Sequence, residues 1–274
     1  MSHGVAEIGF ACRDGTTRLA HLYQRDPLRV LFPRAEEGEP PVAAIVTTSG
    51  GLVAGDRLDI AVRLGPGAAA HVTASAAEKV YRSTGPDCTV RQTLTVSRGA
   101  WLEFLPPETI LFERARLRRE TVVALMPGAG FLGGGILVFG RRARGERLTR
   151  GLVHEVWRVE RNGVLAWGDA LHLDGDIAAL ADDPACLAGA AACATLVLCL
   201  PDADPRDVIG RARAVQARAA TAGVPGGVTA LAGLLVARWL AADPAALRRV
   251  YADTAAGWRE IAGRAPVLPR LWAV

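Results

Sequence analysis

Short strands separated by turn signals fill the first two-thirds of the chain, and this pattern constrains the fold more than any other feature. In Thr89–Val96, for example, alternate residues share one face, as in a half-buried strand. Asn162–Gly163 is a strong two-residue hairpin signal. Turn signals recur roughly every 10–15 residues, which is typical of an all-β sandwich, barrel or solenoid. The predicted strands are Thr17–Gln24, Ala43–Thr48, Leu58–Leu64, Ala69–Ser75, Thr89–Val96, Trp101–Phe104, Thr121–Leu125, Ile136–Phe139, Leu152–Arg161 and Val164–Leu173.

The final third of the chain carries two helix signals. Asp204–Pro205 and Asp243–Pro244 each place an N-cap residue before a proline at the first helical position. We therefore predict helices over Asp204–Ala220 and from Asp243 to about Ile261. The apolar run Val228–Ala242 between them fits either a strand or a helix, and we favour a strand that rejoins the sheet. Together these patterns predict one mainly β domain over residues 1–274, with two α-helices near the C-terminus.

Composition and charge exclude several classes of protein. Half of the residues are hydrophobic, 22% are charged, and the net charge is only +4. The basic runs Arg114–Arg119 and Arg141–Arg150 lack the interleaved aromatic residues of a nucleic-acid platform, so we interpret them as solvated rims. Five cysteines without a CxxC pair favour reduced thiols over disulfides or a zinc site.

No segment of the sequence predicts export or membrane insertion. The first residues contain no apolar signal-peptide core, and there is no lipidation motif. The most apolar runs, Ala188–Leu200 and Val228–Ala242, are too short or too interrupted to span a bilayer. We expect a cytoplasmic protein that binds neither membrane nor nucleic acid.

Two polar segments lie between predicted strands. Thr47–Asp56 is rich in glycine but lacks the lysine and the following helix of a phosphate loop. It is either a turn that needs positive φ angles or a place where backbone approaches a ligand path, with Asp56 as an oxygen ligand for a divalent cation. Thr73–Ser83 is unusually polar and contains Lys79, the only lysine of the chain. A surface turn is an equally good interpretation of that segment.

Motifs of catalysis and of tight metal binding are missing. Phe131–Ile136 contains a glycine run, but it precedes a strand and therefore does not fit a dinucleotide loop. No HxH, HExxH or HxxxH pattern occurs, and no serine has a GxSxG context. His154–Glu155 and His172–Asp174 each fit part of a weak site, although exposed strand residues are the commoner explanation. These observations favour a protein that is not an enzyme.

Several segments in the same order resemble the urease accessory protein family UreD, which is called UreH in some bacteria. They are Thr48–Asp56, Ala77–Ser83, Gly99–Phe112, Val138–Arg141, Gly145–Glu146, Leu171–Asp176 and Leu268–Trp272. No single segment identifies the family. Their combination in this order is specific to the family and covers most of the chain. The family often has an acidic residue near Gly134–Gly135, and this chain has none there.

The resemblance implies a β-solenoid-like arrangement of many short strands with two helices. It implies association with UreF, through UreF with the nickel-carrying GTPase UreG, and contact with apo-urease. It also implies a water-filled internal passage for transient Ni²⁺ and no tightly bound cofactor. Family acids along that passage correspond to Asp56, Glu78 and Asp169, with Lys79 and Ser75 in support.

The resemblance also places the UreF-binding face on the C-terminal helices and tail. Trp258, Arg270 and Trp272 are the candidate contacts there, and core packing is the alternative for both tryptophans. For the acids and Lys79, the alternative is a purely structural ion-pair network. For the whole chain, the alternatives are a solenoid-type carbohydrate-active enzyme and a plain protein–protein adaptor without a metal path.

Overall fold

The computed structural model describes residues 1–201, 203–221 and 223–272, and about half of them lie in two facing β-sheets. The strands in chain order are β1 (His3–Arg13), β2 (Thr16–Arg25), β3 (Leu28–Leu31), β4 (Val42–Thr47), β5 (Arg57–Leu64), β6 (Ala69–Ala74), β7 (Glu78–Val80), β8 (Cys88–Val96), β9 (Trp101–Phe104), β10 (Thr109–Leu111), β11 (Arg116–Leu125), β12 (Gly130–Phe139), β13 (Arg150–Arg161), β14 (Val164–Asp176), β15 (Ala192–Cys199), β16 (Gly226–Leu231) and β17 (Leu234–Ala241). The α-helices are α1 (Ile177–Asp182), α2 (Pro205–Ala219) and α3 (Pro244–Ile261). Short 3₁₀ helices lie at Arg142–Arg144 and Arg270–Trp272.

The strands are wound as a solenoid. Sheet A has the order β14-β13-β11-β8-β5-β1-β2, and sheet B has the order β16-β17-β15-β12-β9-β6-β4-β3. Beside this path, β10 pairs with β12 and β7 pairs with β10. Between β4 and β13 the chain passes repeatedly from one sheet to the other, so strands of successive coils become parallel neighbours: β5, β8, β11 and β13 in sheet A. The prediction of a mainly β, solenoid-like fold with two helices near the C-terminus is confirmed.

Apolar ladders between the sheets hold the coils together. Val62, Leu94, Val123 and Val159 are register partners on four adjacent strands of sheet A, and all four are fully buried. Burying each such side chain stabilises the fold by about 1.5–3 kcal/mol. At the next inward position the interior is partly polar, because Gln92 of β8 and its register partner Thr121 of β11 are buried there and hydrogen-bonded at 2.7 Å.

A second apolar core lies between sheet B and the two C-terminal helices. It includes Trp239 of β17 together with Tyr251 and Trp258 of α3. Sheet B therefore carries a core on each face. The assignment of residues 1–274 to one domain stays a prediction, and this sharing of sheet B by both cores is what supports it.

A buried polar cluster joins sheet B to α3. Glu103 accepts hydrogen bonds from Trp101 Nε1 at 2.9 Å and from Arg259 Nε at 3.0 Å, and its Oε2 lies 2.8 Å from His71 Nδ1. Arg259 also bonds Glu39. Burial raises the pKa of Glu103, but the bond and charge of His71, with Arg259, outweigh burial and hold that pKa at about 2.

The C-terminal third follows the predicted helix signals and corrects one interpretation. Asp204 and Asp243 cap α2 and α3, since their carboxylates accept from Arg206 N at 2.8 Å and Ala245 N at 2.9 Å. The segment Val228–Ala242 is a β-hairpin of β16 and β17, whereas we predicted a single strand.

Several elements were not predicted. β1 and β15 are long strands, and α1 is a short helix. β15 has no period-two pattern because one side packs between the sheets and the other packs on the helices, so its residues are apolar in both directions. Within the described residues, no helix is both long and apolar enough to cross a lipid bilayer.

Candidate functional site

The polar part of the interior contains a cavity around Glu78. This first cavity has a volume of about 170 Å³, and residues of both sheets line it, including Thr47, Ile60 and Phe104. Ser75, Lys79 and Glu78 are also on its wall. A water molecule needs only roughly 10–15 Å³ of such space, so the cavity has room for several waters around the carboxylate.

Glu78 is the first residue of β7, and hydrogen bonds fix its side chain. Its carboxylate accepts a short hydrogen bond from Thr47 Oγ1 and one from Lys79 N at 3.1 Å. Burial raises the pKa of Glu78 above its usual value, even though Thr47, Lys79 and Arg119 act in the opposite direction. Glu78 is therefore a half-buried carboxyl that gains more from a nearby cation than an exposed one would.

The glycines of the segment Thr47–Asp56 place β7 beside this cavity. Gly51 has φ +145°, and a Cβ there would lie 2.7 Å from Lys79 O. The close approach lets Leu52 N donate to Lys79 O at 2.7 Å. The prediction that these glycines serve positive φ angles is confirmed, and the backbone they bring close is that of β7.

Asp169 lines a second cavity at the β14 end of sheet A. This second cavity has a volume of about 510 Å³ and a largely apolar wall that includes Trp157 and Trp239. Asp169 is the register partner of Trp157, and its Oδ1 lies 2.6 Å from Arg238 Nη2 of β17. The ion pair bridges sheet A to sheet B across the mouth of the cavity.

Arg119 borders both cavities. Its Nε donates to the two carboxylate oxygens of Glu155 at 3.0 and 2.7 Å, and its Nη1 donates to Thr109 Oγ1 at 2.8 Å. Trp157 Nε1 adds a hydrogen bond to Glu155 Oε1 at 3.1 Å. The side chains of Arg119 and Glu155 are each about nine-tenths buried. The two cavities therefore meet at a charge-neutral, hydrogen-bonded ion pair.

The sequence did not predict this ion pair. The basic run Arg114–Arg119 indicates a solvated rim, and the structure corrects this for Arg119, which faces the interior, unlike Arg118 beside it. Glu155 lies 36 positions later, directly opposite Arg119 in the parallel register. A Cβ on Gly135 would lie 3.9 Å from Arg119 Nη2. Gly135, in the stretch where the resemblance implies an acidic residue, therefore faces the same guanidinium, and the absence of an acid there was the available signal.

Asp56 has a different environment from Glu78 and Asp169. It is almost fully buried and accepts hydrogen bonds from Ser2 N at 2.7 Å, Ser2 Oγ at 2.9 Å and Val53 N at 3.0 Å. Burial raises the pKa of Asp56, but these bonds outweigh burial and leave the pKa below its usual value. Asp56 is not among the residues that line the two cavities. Its carboxylate ties the loop to the start of β1.

The three candidate partner contacts also differ among themselves. Trp258 is fully buried, with its Nε1 3.5 Å from Ala212 O. Trp272 is buried against Tyr251 and donates to Leu105 O at 3.0 Å. Arg270 is exposed and bonds Glu36 at 2.9 Å. Only Arg270 presents its side chain to a partner in this conformation, and the role of the two indoles in partner binding stays a prediction.

Metal-binding residues are dispersed in the described ranges 1–201, 203–221 and 223–272. In those ranges no group of three or more His, Cys, Asp or Glu side chains is placed to hold a metal ion. Cys193 of the second cavity has its pKa raised to about 12, chiefly by burial. Its thiol is therefore protonated and a poor metal ligand near neutral pH.

Comparison with known proteins identifies the family. A family model described as UreD urease accessory protein matches residues 2–273. The chain is 45% identical over 273 residues to the urease accessory protein UreD of Magnetococcus marinus, covering 99% of this chain and 94% of that protein. It is 42% identical over 258 residues to the UreD of Methylobacterium sp. strain 4-46, covering 94% and 89%. It is 39% identical over 271 residues to the UreD of Azorhizobium caulinodans, covering 99% and 96%. The chain therefore belongs to the UreD family of urease accessory proteins.

Proposed function

We propose that this chain is a non-enzymatic scaffold of urease maturation that lets Ni²⁺ pass through its interior into apo-urease. The observation that carries the proposal is the succession of two cavities between the sheets, each with one of the predicted acids on its wall and both bordered by Arg119. The protein acts in the cytoplasm and keeps no tightly bound cofactor.

The chemistry of the walls suits a cation that must not be retained. Carboxylate and water oxygens bind divalent cations less tightly than clustered thiolate or imidazole ligands, so the ion can move on. Glu78 gives the first cavity a single carboxylate, and Asp169 gives the second cavity one that Arg238 already balances. Neither arrangement holds a cation with several protein ligands at once.

Arg119 sets the electrostatic barrier between the two cavities. An unpaired guanidinium would repel Ni²⁺ strongly in a partly dehydrated interior. Glu155 removes that repulsion, because both of its oxygens accept from Arg119 Nε. The ion pair therefore leaves the junction neutral.

In this proposal Asp56 lies off the route between the two cavities, and we assign it to the loop that positions β7. Its three hydrogen bonds occupy the carboxylate and fix Val53 and Ser2. The backbone of the same loop then reaches Lys79 through Leu52. Asp56 thus supports Glu78 through the backbone and does not bind the ion.

The partners in this proposal are UreF, UreG through UreF, and apo-urease. The C-terminal helices α2 and α3, with the tail around Arg270, form the face for UreF. Trp272 supports that face from beneath, since its indole holds the tail against Leu105. A plain adaptor would use the same face without any passage.

The experiment co-expresses the chain with the urease subunits and the other accessory proteins, and it measures nickel bound per urease. Glu78→Gln and Asp169→Asn each remove one carboxylate from a cavity wall and keep its shape. Glu7→Gln is the matched control, because Glu7 is a carboxylate on the outer side of sheet A. We expect lower nickel content for the two cavity variants, an unchanged value for the control, and unchanged co-purification of the partners.

Unchanged nickel content of urease with both cavity variants would refute the passage. The plain protein–protein adaptor would then be the remaining function. Turnover of a polysaccharide by the purified chain alone would favour the carbohydrate-active enzyme instead. Glycoside hydrolysis uses a pair of carboxyl groups. Glu78 is the one carboxylate among the described residues that line the first cavity, and the two of the second cavity, Glu155 and Asp169, are each paired with an arginine.

A further inference from the structure

Two histidines face each other on the outer side of sheet A. His154 of β13 and His172 of β14 are directly opposite in the antiparallel register, and their Nδ1 atoms lie 3.1 Å apart. Their chain neighbours Glu155 and Leu173 point inward and are buried. The histidine pair is therefore separated from both cavities by the sheet itself.

The spacing of the two nitrogens is that of a chelate. An imidazole nitrogen binds a divalent transition-metal ion at about 2.0–2.1 Å. Two nitrogens that share one ion at a bond angle between about 90° and 109° are then roughly 2.9–3.4 Å apart. The distance of 3.1 Å lies within that range. The ring planes are inclined at 77°, so rotation of one exposed ring is enough to aim both lone pairs at a shared ion.

The backbone pre-organises this pair. Leu152 pairs with Asp174 on one side of the histidines, and Val156 pairs with Ala170 on the other. A continuous ladder of this kind fixes the separation of the two Cβ atoms, and sites built on strands hold their geometry better than sites on loops. Binding an ion therefore orders only two side chains.

Charges around the pair are balanced. Arg118 lies directly across from His154 on β11, and its Nε donates to Asp87 Oδ2 at 2.6 Å. Glu120 is the next outward residue of β11. Asp174 lies two residues after His172 on the same face and is about half exposed. Arg116 shares Asp87 with Arg118 and lies 3.8 Å from Asp174 Oδ1, and Arg91 is the register partner of Glu120. The three carboxylates thus offset three guanidiniums around the pair.

We propose that His154 and His172 form a surface site for one borderline divalent cation, of the class of Ni²⁺ or Zn²⁺, with water completing the coordination. Imidazole is the protein ligand that suits these ions. The site is separate from the proposed passage. It holds an ion at the outer surface of the solenoid, where exchange with solvent is direct.

The test titrates the full chain calorimetrically with NiCl₂ and compares it with His154→Ala, His172→Ala and the double variant. His21→Ala is the matched control, because His21 is another exposed histidine of sheet A, 3.1 Å from Glu7. We expect each single variant to weaken one nickel equivalent at least about tenfold, and we expect the double variant to lose no more than either single one. Far-UV circular dichroism checks that each variant is folded.

Wild-type nickel affinity and stoichiometry in the folded double variant would overturn the proposal. An equal loss in His21→Ala would overturn it as well, because it would show that any exposed histidine has the same effect. Glu78→Gln separates this site from the passage. It should keep the histidine-dependent equivalent even if urease maturation fails.

Discussion

Removal of the negative charge from Glu155 should close the junction between the two cavities. In Glu155→Gln the guanidinium of Arg119 keeps its charge, while the amide oxygen can still accept from Trp157 and from Arg119. The charge of the junction then changes from zero to +1. A divalent ion about 6 Å from a unit charge is repelled by roughly 1.4 kcal/mol in a water-like medium and by roughly 6 kcal/mol at an effective dielectric constant near 20.

That repulsion predicts a clear loss of function. Since about 1.4 kcal/mol is a factor of ten in rate, urease activation should slow at least about tenfold in Glu155→Gln. The assay is the initial rate of urease activation at limiting Ni²⁺, with co-purification of the partner proteins as the control for assembly. Unpairing a buried guanidinium also costs up to about 3–5 kcal/mol of stability, so the free energy of unfolding has to be measured for each variant.

A double substitution separates charge from damage to the fold. Arg119→Gln with Glu155→Gln restores a neutral junction, and the two amides can bond each other as register partners. We expect activation to recover toward the wild-type rate. Asp87→Asn is the control, because it breaks the ion pairs with Arg116 and Arg118 on the outer side of the sheet. A wild-type rate in folded Glu155→Gln, or a double variant no faster than the single one, would refute an electrostatic barrier at the junction.

Three further predictions concern the scaffold. The pKa of Glu103 is about 2 in the fold against an ordinary 4.5, which corresponds to a stabilisation on the order of 3 kcal/mol at about 1.4 kcal/mol per pH unit. This stabilisation is complete above pH 4.5 and is lost as the pH falls toward 2. In Glu103→Gln, the free energy of unfolding should lack this decrease between pH 4.5 and pH 2. Leu94→Ala should lower the free energy of unfolding in urea by about 2–5 kcal/mol, since Leu94 is fully buried in the central ladder. Gly51→Ala should lower both stability and urease activation because its Cβ would meet Lys79 O. Gly50→Ala meets no atom there and should cost only about 1 kcal/mol; equal effects of the two substitutions on activation would contradict the placement of β7 by Gly51.

Local sequence determined the parts of this protein that depend on neighbouring residues. Period-two segments became strands, and Asp204 and Asp243 capped the two long helices. Both features follow from interactions within a few residues, so the strands and the helix caps can be predicted from one sequence. β15 could not be predicted in the same way, because burial on both faces removes the alternation that marks a strand.

Tertiary structure alone decided which residues meet. The winding of the solenoid brings Arg119 to Glu155 across 36 positions. The same winding puts Glu78 and Asp169 on cavity walls and gives Asp56 three hydrogen-bond donors instead. The physical reason is that packing between the sheets sets the register of each coil. The periodicity of residues along the chain does not specify which coils become neighbours.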